Sequence, residues 1–181
     1  MSRRRVAPSV GFPPIADGAA RALVLGSLPG VKSLQMQEYY AQPYNAFWRI
    51  MGELFAAGPE LSYAARLARL RAHGLAVWDV LAAGEREGSL DSAIVPASIV
   101  VNDFNAFFER HRQVRSICFN GNTAAGLFRR KVLSGLAPEW AAIERHALPS
   151  TSPAYASLRF EQKLERWAAV LGPAARSAPA R

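Results

Sequence analysis

Residues 21–48 read RALVLGSLPGVKSLQMQEYYAQPYNAFW, and this stretch decides the fold. It begins with a short apolar run, residues 21–25, that predicts a buried β-strand. The GSLPG sequence at residues 26–30 follows at once and ends the strand in a tight loop. In open α/β sheets, ligand sites lie at the carboxyl ends of strands. This loop is therefore the first candidate for a functional site.

The second half of the stretch is rich in aromatic, proline and amide side chains. In close succession it carries Tyr39, Tyr40, Pro43, Asn45, Phe47 and Trp48. Such a density beside a glycine and serine loop is difficult to explain by core packing alone. We interpret the stretch as the floor and one wall of a pocket that holds a nucleobase. Asn45 stands directly before an amphipathic helix predicted over residues 46–57, so its position fits a helix N-cap as well as a functional role.

The rest of the chain supplies the other elements of an α/β fold. Three further apolar runs predict strands, at residues 75–80, 115–119 and 143–148. The spacing of apolar residues predicts helices between and after them, the last over 158–170. Ser62 is expected to cap one of these helices, and Asn102 or Asp103 another. Strands that alternate with helices predict a mostly parallel sheet between helix layers.

The composition indicates one compact domain. The chain has 181 residues, half of them apolar, which is enough to bury a sizeable core. We expect a flexible N-terminal segment over residues 1–20, a single domain over 21–171 and a flexible tail over 172–181. The formal net charge of +8 favours a polyanionic partner such as nucleic acid.

The cysteine content and the hydropathy of the chain indicate where in the cell the protein is located. The single cysteine, Cys118, cannot form an internal disulfide and cannot by itself hold an iron–sulfur cluster or a structural zinc ion. The N-terminal sequence lacks the apolar centre of a secretory signal, and no window approaches 18 consecutive apolar residues. We therefore expect a cytoplasmic protein without a membrane partner.

Two common hydrolytic chemistries do not fit the sequence. Ser27 and Ser150 lie in predicted turns, but the GxSxG motif is missing and the three histidines are scattered. The histidines also lack the spacing of metal ligands, so we expect neither a metal nor a cofactor. Asp79, Arg86 and Asp91 are charged residues near the end of one predicted strand. A structural ion pair between Arg86 and a carboxylate is the simplest interpretation of them.

Several motifs occur in an order that one family shares. They are GSLPG at 26–30, YYAQPYNAFW at 39–48, WDV at 78–80, REGSLD at 86–91, FNG at 119–121 and LPSTSPA at 148–154. With these motifs, residues 21–171 resemble the uracil-DNA glycosylase superfamily, most closely its hypoxanthine (deoxyinosine) DNA glycosylase branch. The resemblance implies a three-layer α/β/α sandwich around a four-stranded, mainly parallel sheet. It also implies a monomeric, monofunctional glycosylase that flips a deaminated base out of single- or double-stranded DNA and cleaves its N-glycosidic bond.

The resemblance also implies roles for individual residues. Asn45 is expected to be the catalytic amide that positions a water molecule, and Tyr40 to stack on the flipped base. The other expected substrate-binding residues are Gly26, Ser27, Leu28, Pro29, Phe47, Asn120 and Ser150. The residues expected to contact the DNA backbone or to enter the base stack are Ser33, Ser152, Pro153 and Tyr155. For Asn120, capping of the helix that follows is a nearly equal interpretation.

Three positions depart from the uracil-specific members of the superfamily. Leu28 stands where those enzymes carry Asp or Asn, Leu148 replaces a histidine that contacts uracil O2, and Ser152 replaces an intercalating leucine. These departures argue against efficient removal of uracil. They also make Asn45 the expected main catalytic residue. The alternatives are a mismatch-type uracil or thymine glycosylase and a catalytically inactive DNA-binding module.

Overall fold

The structure, a computed structural model, describes residues 7–176. Its strands are β1 (Ser9–Val10), β2 (Ala22–Gly26), β3 (Leu75–Asp79), β4 (Leu81–Gly84), β5 (Val100–Val101), β6 (Ser116–Asn120) and β7 (Glu144–Leu148). Its α-helices are α1 (Val31–Met36), α2 (Phe47–Phe55), α3 (Tyr63–Ala72), α4 (Phe104–Arg110), α5 (Asn122–Lys131), α6 (Pro138–Ala141) and α7 (Phe160–Arg176). The four strands and the long helices that the apolar pattern predicts are all present, with bounds shifted by a few residues.

The main sheet has four parallel strands in the order β3-β2-β6-β7. The central strand β2 is buried at every position, and its neighbour β6 is buried at its three middle positions. Strands that are covered on both faces must be apolar throughout, which explains the short apolar runs in the sequence. The predicted α/β fold around a four-stranded parallel sheet is confirmed.

Helices cover both faces of this sheet. Leu25, Trp78 and Phe119 lie side by side in register and share one face. Helices α4 and α5 pack there, with Phe104 beside Trp78 and Phe128 beside Phe119. Helix α2 contacts both α3 and α7, and these three helices cover the opposite face. The three layers of the predicted α/β/α sandwich are therefore present.

Short polar side chains begin two of the helices, as predicted. Ser62 Oγ accepts a hydrogen bond from Ala65 N–H at the start of α3. Asp103, rather than Asn102, caps α4, because its Oδ1 accepts a hydrogen bond from Ala106 N–H. Each contact satisfies one of the N–H groups that have no partner within the first turn of a helix.

A small antiparallel sheet was not predicted. Strand β4 pairs with β1 on one side and with β5 on the other. These strands have only two to four residues, and β4 reads LAAG. Alanine and glycine have little preference for strands, so tertiary pairing rather than local propensity forms this sheet.

The prediction of a flexible segment over residues 1–20 does not hold at Ser9–Val10 and Ile15, which pair with strands. Ser9–Val10 pairs with β4, and the buried Ile15 exchanges two backbone hydrogen bonds with Val77 on the outer side of β3. The edge of a parallel sheet presents unpaired N–H and C=O groups, and this segment satisfies part of them.

The C-terminal boundary also differs from the prediction. Helix α7 continues to Arg176, past the predicted start of a flexible tail at residue 172. Residues 1–6 and 177–181, the outer parts of both predicted flexible segments, lie outside the described residues. Within residues 7–176, no helix is both long enough and apolar enough to cross a membrane.

Candidate active site

The carboxyl ends of the four parallel strands meet at one edge of the main sheet. Gly26, Asp79, Asn120 and Leu148 are the last residues of β2, β3, β6 and β7. The polar loops that follow these strands are far apart in the sequence but adjacent in space. Ligand sites of α/β sheets lie at this edge, so it is the candidate active site.

A buried arginine holds the loop that follows β2. The Arg86 guanidinium donates hydrogen bonds to the carbonyl oxygens of Leu28 (3.3 Å) and Pro29 and to Asp91 Oδ1 (3.3 Å). Ser27 Oγ donates a hydrogen bond to the same Asp91 oxygen at 2.7 Å. The predicted ion pair of Arg86 with a carboxylate is confirmed, and it determines the shape of the GSLPG loop.

Tyr40 and Phe47 form the aromatic part of the site. Their rings stack with centroids 3.9 Å apart and an angle of 25° between the planes. Phe47 is 0% exposed, so the expectation that it contacts substrate is corrected: it supports Tyr40 from behind. Tyr40 as a whole is half-buried, whereas its hydroxyl oxygen is buried. Tyr39 and Trp48 are also core side chains, joined by a hydrogen bond from Trp48 Nε1 to the Tyr39 carbonyl.

The Tyr40 hydroxyl and the Asp79 carboxyl both lie over Gly26. A Cβ atom at residue 26 would be 2.4 Å from Asp79 Oδ1 and 3.0 Å from the Tyr40 hydroxyl oxygen, so only glycine leaves room for both groups. Within residues 7–176, neither the Tyr40 hydroxyl oxygen nor Asp79 Oδ2 has a hydrogen-bond partner. Buried polar atoms are normally paired, so these two atoms form a polar floor that is suited to a polar ligand.

Asp79 is a buried carboxyl group with an altered pKa. It is 4% exposed, and burial raises its pKa from 3.8 to about 7. The neighbouring Asp91 raises this pKa as well, whereas Arg86 lowers it. Burial also raises the pKa of the Tyr40 hydroxyl, which therefore stays protonated. Asp79 is missing from the predicted site residues, although a carboxylate at the end of an apolar strand was a usable signal.

Asn120 joins the sheet to the loop that follows β7. Its Oδ1 accepts a hydrogen bond from Thr151 N–H, and its Nδ2 donates one to Thr151 Oγ1, both at 2.8 Å. The Thr151 carbonyl in turn accepts a hydrogen bond from Ala46 N–H at 3.0 Å. Asn120 does not cap α5, whose N-cap position is Gly121. The Asn120 amide also lies beside the Tyr40 hydroxyl, and its contact with a base edge stays a prediction.

Two side chains of α7 hold the last loop, residues 149–155. Lys163 Nζ donates hydrogen bonds to the carbonyl oxygens of Ser152 (3.4 Å) and Tyr155 (2.8 Å). Trp167 Nε1 donates one to the Pro149 carbonyl at 3.0 Å. Lys163 is buried, which lowers its pKa. Neither of these two contacts with the last loop is predicted from the sequence.

The predicted serine contacts separate into two kinds. Ser150 Oγ accepts a hydrogen bond from Ser152 N–H, and Ser152 Oγ accepts one from Ala154 N–H. Both serines keep their hydroxyl hydrogen for an acceptor such as a phosphate oxygen. Ser33 is 6% exposed and accepts a hydrogen bond from Ala41 N–H at 3.2 Å. The expected contact of Ser33 with the DNA backbone is therefore corrected to an internal one.

The other predicted site residues lie either beneath the site or at its rim. Leu28 and Pro29 are buried, and their carbonyl oxygens are the acceptors for Arg86. Pro153 is exposed and Tyr155 is half-buried on the last loop. Leu28 and Pro29 therefore shape the site, and the two loop residues form part of its outer surface.

Asn45 is half-buried and lies two residues before the start of α2 at Phe47. The N-cap position of α2 is Ala46, not Asn45 as the sequence predicts. The Asn45 Oδ1 nevertheless accepts a hydrogen bond from Phe47 N–H at 3.0 Å, which satisfies one N–H of the first helical turn. A carbonyl oxygen has two acceptor lone pairs, so the same atom can accept a second hydrogen bond, as the predicted functional role of Asn45 requires.

We predict that Gly26→Ala disrupts the site. The added Cβ would collide with the Asp79 carboxyl and the Tyr40 hydroxyl, and overpacking of this kind costs about 1–3 kcal/mol. Urea unfolding should show this loss, whereas Gly18→Ala, with open space around the new methyl group, should unfold like the wild type. Equal stability of the two variants would contradict the packing around Gly26.

We also predict that Asp79 makes stability depend on pH. Its pKa in the folded protein is about 7 and its ordinary value is 3.8, so the folded state retains a proton that the unfolded state releases. Stability therefore falls as the pH rises between these values, by up to about 3 kcal/mol from pH 5 to pH 8. Asp79→Asn should remove most of this fall in unfolding experiments at the two pH values. Parallel pH profiles for variant and wild type would refute the prediction.

An α/β/α sandwich that brings aromatic and polar side chains together at the carboxyl edge of a parallel sheet is typical of α/β enzymes that bind a flat, polar ligand. Within the described residues, His, Cys, Asp and Glu side chains form no group that could hold a metal ion. The family model of the Uracil DNA glycosylase superfamily matches residues 13–171. The chain belongs to this superfamily.

Individual relatives agree with the family match. A hypoxanthine DNA glycosylase of Methanosarcina acetivorans is 38% identical over 162 residues, which covers 88% of this chain and 96% of the relative. One from Methanosarcina barkeri is 37% identical over 112 residues, which covers 61% and 70%. The solution NMR structure of a Methanosarcina acetivorans protein, described there as a candidate uracil DNA glycosylase, superposes with a TM-score of 0.74 at 33% identity. It covers 92% of this chain and 98% of that protein.

Proposed function

We propose that the protein is a monofunctional DNA glycosylase of base-excision repair that removes hypoxanthine from deoxyinosine and leaves an abasic site. The superfamily membership supports a DNA glycosylase. Two relatives at 37% and 38% identity bear the name hypoxanthine DNA glycosylase, which supports this base. The observation that carries the proposal is the grouping of Asn45, Tyr40 and Asn120 at the strand ends, where hydrogen bonds link Ala46 to Thr151 and Thr151 to Asn120.

The cleft offers the contacts that a flipped purine requires. The face of the Tyr40 ring opposite Phe47 would stack on the base, and Phe47 keeps the ring in place. Hypoxanthine carries both hydrogen-bond donors and acceptors on its ring edge. A protonated Asp79 carboxyl and the Tyr40 hydroxyl each offer one donor and one acceptor in the same region. Enzymes that act on a base read it by stacking and edge contacts of this kind.

Asn45 provides the chemistry by positioning rather than by proton abstraction. An amide is not a base, so its carbonyl oxygen holds a water molecule next to the anomeric carbon of the sugar. As the bond between that carbon and the purine nitrogen breaks, positive charge develops on the sugar, and the water oxygen bonds to the same carbon. The bonding electrons and a proton from the water leave with hypoxanthine. Fixed orientation and electrostatic stabilisation are the main sources of rate in such a step.

Because Leu28 is apolar, the proposed reaction depends on the side-chain amide of Asn45 alone. Its side chain is buried near Ile94 and Gly84, so the first loop contributes no polar side chain at the position where uracil-specific enzymes carry Asp or Asn. The absence of that group from the GSLPG loop supports hypoxanthine over uracil as the preferred base.

We propose DNA, single- or double-stranded, as the partner of a monomeric enzyme. The net charge of +8 favours the phosphate backbone, and the free hydroxyl hydrogens of Ser150 and Ser152 suit phosphate oxygens. A Schiff-base step on the abasic product is not part of the proposal. Lys163 Nζ is engaged by two carbonyl oxygens, and Lys32 lies exposed on α1.

A base-release assay tests the function. Oligonucleotides that contain deoxyinosine, deoxyuridine or deoxyxanthosine are incubated with the purified protein in EDTA, and abasic sites are cleaved with alkali. We expect strand cleavage first and fastest with deoxyinosine. Preferential release of uracil or thymine from mismatches would establish the mismatch-type glycosylase instead. Binding to all three DNAs without base release would establish an inactive binding module.

A further inference from the structure

Tyr44 is an exposed aromatic side chain on a rigid turn. It is 82% exposed, and it is the one aromatic among the strongly exposed large apolar side chains of residues 7–176. A hydrogen bond from Asn45 N–H to the Gln42 carbonyl at 2.9 Å closes the turn, and the Gln42 side chain accepts one from Tyr44 N–H. Pro43 further restricts the backbone. The ring of Tyr44 is therefore held outside the protein surface by an ordered backbone.

The turn lies beside the proposed active site. Tyr44 directly precedes Asn45, the residue proposed to hold the water. The next residue, Ala46, donates its N–H to the Thr151 carbonyl at 3.0 Å, which attaches the turn to the last loop. If Asn45 faces the sugar of the flipped nucleotide, an exposed tyrosine at the preceding position would face the neighbouring part of the DNA strand.

The last loop offers no comparable ring. Ser152, which replaces an intercalating leucine, is short, and its Oγ accepts the Ala154 N–H. Tyr155 is half-buried, its carbonyl oxygen accepts a hydrogen bond from Lys163, and Lys163 Nζ lies 5.3 Å from the centre of its ring. Among the aromatic side chains near the cleft, Tyr44 is the one that extends freely from the surface.

We propose that Tyr44 is the wedge residue, whose ring enters the base stack at the position that the flipped nucleotide leaves. The proposal rests on the proposed glycosylase function. A flipped base leaves a gap in the duplex, and an apolar or aromatic side chain that fills the gap slows the return of the base. Stacking of one base on an aromatic side chain contributes about 5- to 100-fold to binding. A single strand has no continuous stack, so a wedge matters there much less.

The test compares two substrates with the same sequence, a duplex with deoxyinosine opposite thymine and the single strand alone. We expect Tyr44→Ala to reduce hypoxanthine release from the duplex about 10-fold or more and from the single strand less than about 3-fold. Tyr44→Trp and Tyr44→Phe should retain activity on the duplex. Val100→Ala, an exposed apolar residue on the small sheet, serves as the control and should match the wild type on both DNAs.

Failure to release hypoxanthine would by itself refute the proposed function. A binding experiment still tests the wedge role of Tyr44 in that case. Wild type and variants are titrated with a duplex that carries a tetrahydrofuran abasic site, in which the gap is already present. Tyr44→Ala should bind this duplex about 10-fold more weakly, and Tyr44→Trp should bind like the wild type. Unchanged binding, an equal loss of release on both DNAs, or a duplex-specific loss in Tyr155→Ala instead of Tyr44→Ala would overturn the proposal.

Discussion

Asn45→Ala is expected to lower hypoxanthine release by at least about 100-fold, the scale of one lost transition-state contact. The variant loses the carbonyl oxygen that is proposed to hold the water, and the buried Leu28 provides no polar side chain that could replace it. Single-turnover release from a deoxyinosine duplex measures the chemical step directly. Activity within a few-fold of the wild type would show that Asn45 only caps the helix.

The same substitution also removes the hydrogen bond from Phe47 N–H at the start of α2, so a second variant that loses a comparable bond serves as the control. Ser62→Ala removes the corresponding contact at the start of α3, away from the strand ends. Each variant should lose about 1 kcal/mol of stability, because each leaves one N–H of a first helical turn without its partner. Ser62→Ala should retain full activity. A large loss of activity in both variants would assign the effect to folding.

Arg86→Ala is expected to cause the largest loss of stability, about 3–5 kcal/mol in urea unfolding. The substitution leaves Asp91 and the carbonyl oxygens of Leu28 and Pro29 without their buried donor. The GSLPG loop then loses the contacts that determine its shape. Base release should fall as well, even at temperatures where the variant remains folded by circular dichroism.

Arg86→Lys tests whether a positive charge alone is sufficient to hold the GSLPG loop. A lysine ammonium carries the charge but lacks the planar set of five donors that contacts two carbonyls and a carboxylate at once, so an intermediate stability is expected. Arg71→Ala on the exposed surface of α3 is the control and should change stability by less than about 0.5 kcal/mol. If Arg86→Ala unfolds at the wild-type urea concentration, Arg86 does not hold the loop.

Much of the site was visible in the sequence because its motifs are local. The glycine and serine loop, the aromatic run that ends at Asn45 and the two later polar loops each directly follow an apolar strand or precede an apolar helix. Their residue types indicate a polar, flat ligand, and their order carries the family resemblance. The helix caps Ser62 and Asp103 could also be predicted from the sequence, since a cap depends only on residues within one helical turn.

The errors have a common physical cause. Burial cannot be read from one residue and its neighbours, so Phe47 and Ser33 were expected to contact ligands and instead support the site from inside. Asp79 was noted only as a charge, because its altered pKa arises from burial and from Asp91, twelve positions later in the chain. The short strands of the small sheet carry no pattern of their own and form only through pairing.

The sequence by itself determined the α/β fold and the strand ends at which the candidate site lies, and it predicts Asn45 and Tyr40 as the central residues of that site. It could do so because hydrophobic periodicity and turn residues act over a few positions. Only the tertiary structure decided how the loops are held together. Arg86 reaches Leu28 across 58 positions, and Asn120 reaches Thr151 across 31. Contacts over such separations depend on strand order and side-chain burial, which exist only after the chain has folded.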